Sequence, residues 1–149
     1  MTSYGKNIKI EVFGGSHDSE IGITAENIPA GITFDMDKLQ AFMQRRAPGQ
    51  SKLTTSRKES DTPVLMSGFD GSTTNGEKIC IVIRNENARS SDYSSLSSKP
   101  RPSHADYPAM VKSGGKADLR GGGHFSGRLT APICALGGIL KEELEKRGI

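Results

Sequence analysis

The chain has 149 residues, of which 34% are hydrophobic and 25% are charged, and its formal net charge is +3. This length suits one domain with a modest core, and the composition is too apolar for a disordered chain. No stretch approaches the roughly 20 apolar residues of a membrane helix, and residues 1–6 lack the apolar run of a signal peptide. Cys80 and Cys134 lie in apolar surroundings that favour buried free thiols over a disulfide or a metal site. A soluble, cytoplasmic protein is therefore expected.

The first half of the chain predicts two strands and a helix. Residues 7–13 alternate apolar and charged side chains, as a half-buried strand does, and residues 21–25 predict a second short strand. Asp35 is placed as a helix N-cap, because apolar residues recur three and four positions apart after it. Pro48 and Gly49 are expected to end this helix.

The second half predicts more strands, two loops and a final helix. Residues 50–62 indicate a mobile basic loop, and residues 63–69 and 79–84 indicate strands of an antiparallel meander. Residues 85–123 are rich in Ser, Gly, Pro and basic side chains, and compact domains rarely keep so long a loop without a function. The last helix is expected to start near Ser126 or Thr130 with one apolar stripe, formed by Leu129, Ile133, Leu136, Leu140 and Leu144. The predicted fold class is α+β, an antiparallel sheet with helices packed against one face.

Three histidines, His17, His104 and His124, all follow turns that contain Gly or Ser. One interpretation is that they are exposed polar residues, which is common for histidine. A metal site is disfavoured, because the spacings are too long for a local ligand motif and neither cysteine is close in sequence. General acid or base roles are the sharper hypothesis, since imidazole exchanges protons near neutral pH.

Three consecutive glycines stand between Arg120 and His124, directly before the last helix. Backbone N–H groups there and the positive end of the helix are expected to form a phosphate cradle, although a flexible connection is the alternative. Cations at element ends and in loops favour a small polyanion over a nucleic-acid duplex, for which no recognition helix is seen. An RNA-binding module remains a third hypothesis, supported only by the mild basicity. These cations are Arg45, Arg46, Lys52, Arg57, Arg89, Arg101 and Arg128.

Five motifs then occur in order along nearly the whole chain. They are F-G-G-S-H at 13–17 with P-A-G at 29–31, R-R-A-P-G at 45–49, R-S-S-D-Y at 89–93, R-P-S-H-A-D-Y at 101–107, and G-G-G-H-F-S-G-R-L-T at 121–130. This set resembles the signatures of the chorismate synthase family. The chain is similar to the N-terminal portion of that family.

The resemblance implies a fold, an activity and a cofactor. It implies half of a sheet, helix, sheet sandwich, assembled as a tetramer in the family. The implied reaction is the anti 1,4-elimination of phosphate from 5-enolpyruvylshikimate 3-phosphate, which gives chorismate for aromatic amino acid biosynthesis. Reduced FMN is the implied cofactor, and NADPH is a candidate for flavin reduction. Neither nucleic acid nor a membrane is implied as a partner.

The matching motifs also imply residue roles. His17 would protonate or hydrogen-bond the reduced flavin, and His104 would protonate the departing phosphate. Arg45, Arg46 and Arg128 are candidates for binding the anionic substrate. His124, Phe125 and Ser126 fall on a segment that contacts the flavin in the family. Arg46 and Lys52 match positions linked to contact with the substrate or the nicotinamide.

Three positions depart from the usual family motifs. Gly15 replaces a Glu, Asp18 a Gly, and Ser103 the Gly before His104. The first loop therefore exchanges one carboxylate for another beside His17. Family members are also more than twice as long, so the alternative is an inactive half that folds and binds phosphate or flavin without turnover.

Overall fold

The structure, a computed structural model, describes residues 2–47, 59–86, 99–118 and 120–149. Several sequence predictions lie outside the described residues: most of the basic loop with Lys52 and Arg57, the motif at 89–93, and Pro48 with Gly49.

A five-stranded antiparallel sheet forms one layer, in the order β1-β2-β3-β7-β4. The strands are β1 Thr2–Tyr4, β2 Lys9–Gly14, β3 Glu20–Glu26, β4 Pro63–Ser67, β5 Phe69–Asp70, β6 Thr73–Thr74 and β7 Ile79–Arg84. The two strands predicted at 63–69 and 79–84 pair antiparallel as expected, as β4 with β7. β7 also pairs with β3, so it lies between β3 and β4 in the sheet.

The predicted strand at 63–69 is divided at Gly68. This glycine has a φ of 84°, and a Cβ there would lie 2.7 Å from the Cα of Ile79, so only glycine fits the bend. The chain turns away from the five-stranded sheet at this point, and β5 and β6 form a separate two-stranded sheet. The edge strand β1 was not predicted from the sequence.

Three α-helices are described: α1 Met36–Gln44, α2 Asp106–Lys112 and α3 Thr130–Lys146. Asp35 caps α1 as predicted, with its carboxylate accepting from the N–H groups of Asp37 at 2.8 Å and Lys38 at 3.2 Å. The helix α2 corrects the prediction of a continuous loop over 85–123. It forms where the Asp106 carboxylate accepts from the backbone N–H of Arg101 at 2.9 Å, which fixes the chain as it enters the helix.

The last helix is preceded by short 3-10 turns at Gly123–Phe125 and Gly127–Leu129. Ser126 and Thr130, the two predicted starting points, have separate roles. Ser126 caps the second 3-10 turn by accepting from the N–H of Arg128 at 3.2 Å, and Thr130 is the first residue of α3.

The core lies between α3, α1 and the inner face of the sheet. Alternate isoleucines of β3 and β7 fill it, and α3 covers them with Ala131, Pro132, Ala135, Leu136 and Ile139. Each fully buried large aliphatic side chain contributes about 1.5–3 kcal/mol. The predicted stripe of α3 is therefore partly wrong. Ile133 and Leu144 are 42% and 45% exposed, because small alanines, which allow close approach, face the sheet instead.

The predicted α+β class is confirmed: an antiparallel sheet packs against helices on one face. Cys80 lies in β7 and Cys134 in α3, as expected, and both are free, but they are half-buried and not fully buried. Of the helices in the described residues, none has both the length and the apolar character needed to cross a membrane.

Candidate active site

The loop after β2 and the glycine segment before α3 lie against each other. The backbone N–H of Ser16 donates to the carbonyl of Gly123 at 3.1 Å, and the Nδ1 of His124 lies 3.0 Å from the carbonyl of Gly14. Residues more than 100 positions apart thereby meet at the end of β2. His17 and His124 are brought to the same end of the sheet.

His17 packs directly on Gly121. Gly121 has a φ of 57°, and a Cβ built on it would lie 2.3 Å from the Nε2 of His17. Only glycine leaves room for the imidazole here. The hydrogen bonds from Arg120 hold the pKa of the nearby Asp118 carboxyl below its usual range, and the positive form of His17 lowers this pKa further. Arg120 also lies 3.4 Å from the Asp18 carboxylate.

His104 belongs to a cluster built around a buried carboxylate. Its Nδ1 lies 2.5 Å from the Oδ1 of Asp106, a residue that is 3% exposed. The Arg101 guanidinium donates from Nε to Oδ2 at 2.7 Å and from Nη2 to Oδ1 at 2.9 Å of the same carboxylate. The Nη2 of Arg101 also donates to the Gly121 carbonyl at 2.5 Å. His17 therefore lies against Gly121, and His104 is linked to the same residue through Asp106 and Arg101.

The third histidine connects strands. The ring of His124 is bonded to the Thr2 Oγ1 at 2.7 Å through Nε2 and to the Gly14 carbonyl through Nδ1. Since a carbonyl only accepts, Nδ1 carries the proton and Nε2 accepts from the hydroxyl. Phe125 beside it is 56% exposed and forms one wall of a cleft of about 350 Å³. The cleft is also lined by Gly14, Gly15, Asp18, Lys112, Asp118 and His124.

The predicted phosphate cradle is not supported by the amides that the structure assigns. The N–H groups of Gly123, Phe125 and Ser126 donate to carbonyls of their own segment, and those of Arg128 and Leu129 donate to Ser126. Because 3-10 turns use these donors internally, these five N–H groups are not available to bind an anion together.

Two predicted substrate arginines share one buried carboxylate. Asp61 is fully buried and accepts from Nη1 of Arg46 at 2.5 Å and from Nη1 of Arg128. Asp61 holds a φ of 49°, an uncommon conformation for a residue other than glycine. Glu59 lies 3.6 Å from the Arg128 guanidinium. The Arg46 side chain is 22% exposed, whereas that of Arg128 is 6% exposed, so only Arg46 offers surface to a ligand.

Asn85 joins the arginine pair to the histidine loops. Its side-chain oxygen accepts from Nε of Arg128 at 3.0 Å, and its amide donates to the carbonyls of Gly15 at 3.2 Å and Asp18 at 2.8 Å. The site is thus one contiguous network. Arg45 lies apart from it: its guanidinium stands 5.6 Å from the ring centre of Phe42 on the exposed side of α1.

Sequence reasoning missed the acids and the amide that organise this network: Glu59, Asp61, Asn85 and Asp106. One signal was available for Asp106, which stands two residues after His104 in the same motif. Asp61 offered none, because a single Asp beside a predicted loop is ordinarily exposed. Within the described ranges, no group of three His, Cys, Asp or Glu side chains could hold a metal ion.

A sequence model described as "Chorismate synthase" matches residues 8–149, which is nearly the whole chain. The chain belongs to the chorismate synthase family. A chorismate synthase of Chitinophaga pinensis is 45% identical over 144 residues, covering 97% of this chain and 43% of the relative. One of Thermococcus gammatolerans is 43% identical over 145 residues, covering 97% of this chain and 40% of the relative. The chain therefore spans about two fifths of the length of these curated chorismate synthases.

A solved structure titled "Crystal Structure of Chorismate Synthase" also resembles the chain. The TM-score is 0.66 at 22% sequence identity, and the match covers 96% of this chain and 35% of the solved one. This likeness supports the chorismate synthase fold for the described sheet and helices.

Proposed function

We propose that this chain forms the N-terminal portion of a chorismate synthase, a lyase that eliminates phosphate from 5-enolpyruvylshikimate 3-phosphate. One observation carries the proposal: His17 and the cluster of His104 meet at Gly121, inside a region that matches the family from residue 8 to residue 149. One imidazole lies on this residue and a second is linked to it through Asp106 and Arg101, which suits a reaction that needs two proton transfers.

The elimination breaks the carbon–oxygen bond to phosphate and removes one ring proton, so the substrate leaves as chorismate and inorganic phosphate. His104 supplies a proton to the departing phosphate. Arg46, whose guanidinium is partly exposed, binds a substrate anion, and Asp61 holds it in place. Arg128 supports this arrangement from the buried side of Asp61. Arg45 as a substrate ligand stays a prediction.

The cleft beside His124 fits one edge of a flavin. Its volume of about 350 Å³ lies near the lower end of ligand pockets, and Gly14, Gly15 and Gly123 let a flat ring approach the backbone. Phe125 offers an exposed aromatic face and Lys112 a cation. We propose that these residues hold part of reduced FMN, with His17 donating a hydrogen bond or proton to it. When bound, the reduced flavin takes part in the elimination and is recycled, not consumed.

Finer features of the proposal follow the family resemblance. They are FMN as the specific flavin, NADPH for flavin reduction near Arg46 and Lys52, assembly as a homotetramer, and a cytoplasmic location. Nucleic acids and membranes are not expected as partners.

The direct test incubates the purified chain anaerobically with 5-enolpyruvylshikimate 3-phosphate and photoreduced FMN. Chorismate is followed by its ultraviolet absorbance, and flavin binding by fluorescence quenching. Formation of chorismate is the expected result. Flavin quenching without product would restrict the chain to binding. The absence of both product and quenching would overturn the proposal.

The two histidines are tested separately. His17→Ala and His104→Ala are each expected to lower turnover roughly 10²-fold, the usual scale for acid and base groups. Only His17→Ala is expected to change the absorbance spectrum of bound reduced flavin, because His104 acts on phosphate. A changed flavin spectrum in His104→Ala with an unchanged one in His17→Ala would reverse the two roles.

A further inference from the structure

Gly121 contacts the His17 ring and also Arg101, which shares the Asp106 carboxylate with His104. One side of its Cα faces the His17 ring, since a Cβ there would lie 2.3 Å from Nε2. Its carbonyl accepts from the Arg101 Nη2 at 2.5 Å. Arg101 is therefore hydrogen-bonded to the residue on which the His17 ring rests.

Arg101 and His104 are held by the same carboxylate. Asp106 is 3% exposed and accepts from the side chain and the backbone of Arg101 and from the Nδ1 of His104. Side-chain hydrogen bonds from Arg101 are the main reason that the pKa of Asp106 lies far below its usual range, and His104 contributes less. Asp106 is therefore an ionised carboxylate that can only accept hydrogen bonds.

The protonation of the His104 ring follows from these contacts. Nδ1 lies 2.5 Å from the Asp106 carboxylate and 3.4 Å from the Arg101 Nη2, so the carboxylate is the closer partner. Because a carboxylate only accepts, Nδ1 must carry the proton. Nε2 is then the ring nitrogen that gains and loses a proton.

We propose that Asp106 and Arg101 are positioning residues for His104 and His17. Asp106 fixes His104 as the Nδ1–H tautomer, so that Nε2 exchanges the proton. Arg101 locks this pair against the Gly121 carbonyl and thereby couples the two histidines. The catalytic consequence rests on the proposed function, whereas the tautomer and the coupling do not.

The geometry predicts how Asp106→Asn acts. An asparagine can present its NH2 group to Nδ1, which favours the opposite tautomer. In serine proteases, where a buried aspartate orients the catalytic histidine, the same change lowers kcat about 10⁴-fold through the wrong tautomer. The relation between Asp106 and His104 has the same chemistry.

The test is nitrogen NMR of the 149-residue chain with ¹⁵N-labelled histidine, near pH 8.5, where an ordinary imidazole is neutral. The His104 signals are assigned with His104→Gln. The wild-type chain is expected to carry the proton on Nδ1, and a proton on Nε2 would overturn the proposal without any further variant. Asp106→Asn is expected to move the proton to Nε2, and an unchanged tautomer would also overturn it.

Two further variants complete the test. Asp70 is an exposed aspartate in β5, and Asp70→Asn is the matched control. This variant is expected to leave the His104 tautomer unchanged. Arg101→Lys keeps the charge but loses the fork of donors, so the His17 signals are expected to shift while His104 keeps Nδ1–H. Unshifted His17 signals would contradict the coupling. Because these readouts need no turnover, a chain that passes them but neither forms chorismate nor quenches flavin would refute only the proposed function.

Discussion

At the scale of single residues, Gly121 leaves no room for a side chain beside the His17 ring. Gly121 and Gly114 have nearly the same backbone, with φ values of 57° and 61°, but only Gly121 has the His17 ring within reach of a Cβ. Gly121→Ala and Gly114→Ala should each lower the unfolding free energy by about 1–2 kcal/mol, because alanine is strained in the left-handed conformation.

Gly121→Ala should lose more, because the His17 ring must move as well. Urea unfolding of both variants measures the difference, and histidine NMR shows whether the His17 ring has shifted. Equal losses in the two variants, with His17 signals unchanged, would mean that the imidazole does not rest on Gly121.

Ser103, directly before His104, has a strained backbone conformation. Its φ is 61°, a conformation that costs a residue with a Cβ about 1–2 kcal/mol and that glycine adopts freely. Glycine also raises the conformational entropy of the unfolded chain, which offsets about 0.4–1 kcal/mol of this gain. Ser103→Gly should therefore stabilise the protein by about 0.5–1 kcal/mol.

Thermal unfolding checks the effect of Ser103→Gly against Ser113→Gly, whose φ of −91° needs no glycine. Ser113→Gly is expected to destabilise. If both serines gave the same change, relief of backbone strain would not be the cause. The usual glycine of the family motif at position 103 fits this conformation.

At the scale of elements, α1 and α3 cross at Gly138. A Cβ there would lie 2.7 Å from the Cδ1 of Leu39 and 3.0 Å from the Cδ1 of Phe42, whereas nothing lies within 4 Å of a Cβ at Gly137. Gly137→Ala should stabilise the chain by about 0.5–1 kcal/mol through helix propensity.

Gly138→Ala should lower the unfolding free energy by about 1 kcal/mol despite the better helix propensity of alanine, since the Leu39 and Phe42 side chains must move to avoid the added methyl group. Chemical denaturation of the two single variants is the measurement. An equal gain at both positions would show that the helices do not approach closely at Gly138.

At the scale of the whole molecule, α3 presents apolar side chains on two sides. Leu136 is 2% exposed against the sheet, whereas Leu144 is 45% exposed and shares the outer side with Ile133. A second layer against that outer side stays a prediction from the family resemblance. The sheet of the described residues covers only the inner side.

Leu136→Ala should therefore cost about 2–5 kcal/mol of the unfolding free energy. Leu144→Ala should stay within about 0.5 kcal/mol, as exposed substitutions do. Similar losses for the two leucines would contradict this division of α3.

The sequence predicted local features well and pairings less well. The strands at β2, β3 and β7 and the cap at Asp35 follow from alternation and capping, which depend on neighbours in the chain. The insertion of β7 between β3 and β4 depends on residues far apart, and periodicity carries no information about it. For α3, the predicted stripe used the largest apolar residues, but the close approach to the sheet selected Ala131 and Ala135.

The sequence by itself determined the family, the α+β class and the loops that carry His17, His104 and the triple glycine. It could do so because motifs and local periodicity are properties of short segments. Only the tertiary structure decided that Asp106 orients His104, that Asp61 holds Arg46 and Arg128, and that Gly121 contacts both the His17 ring and Arg101. Asp61 meets arginines 15 and 67 positions away, and a buried carboxylate acquires its partners only when the chain has folded around it.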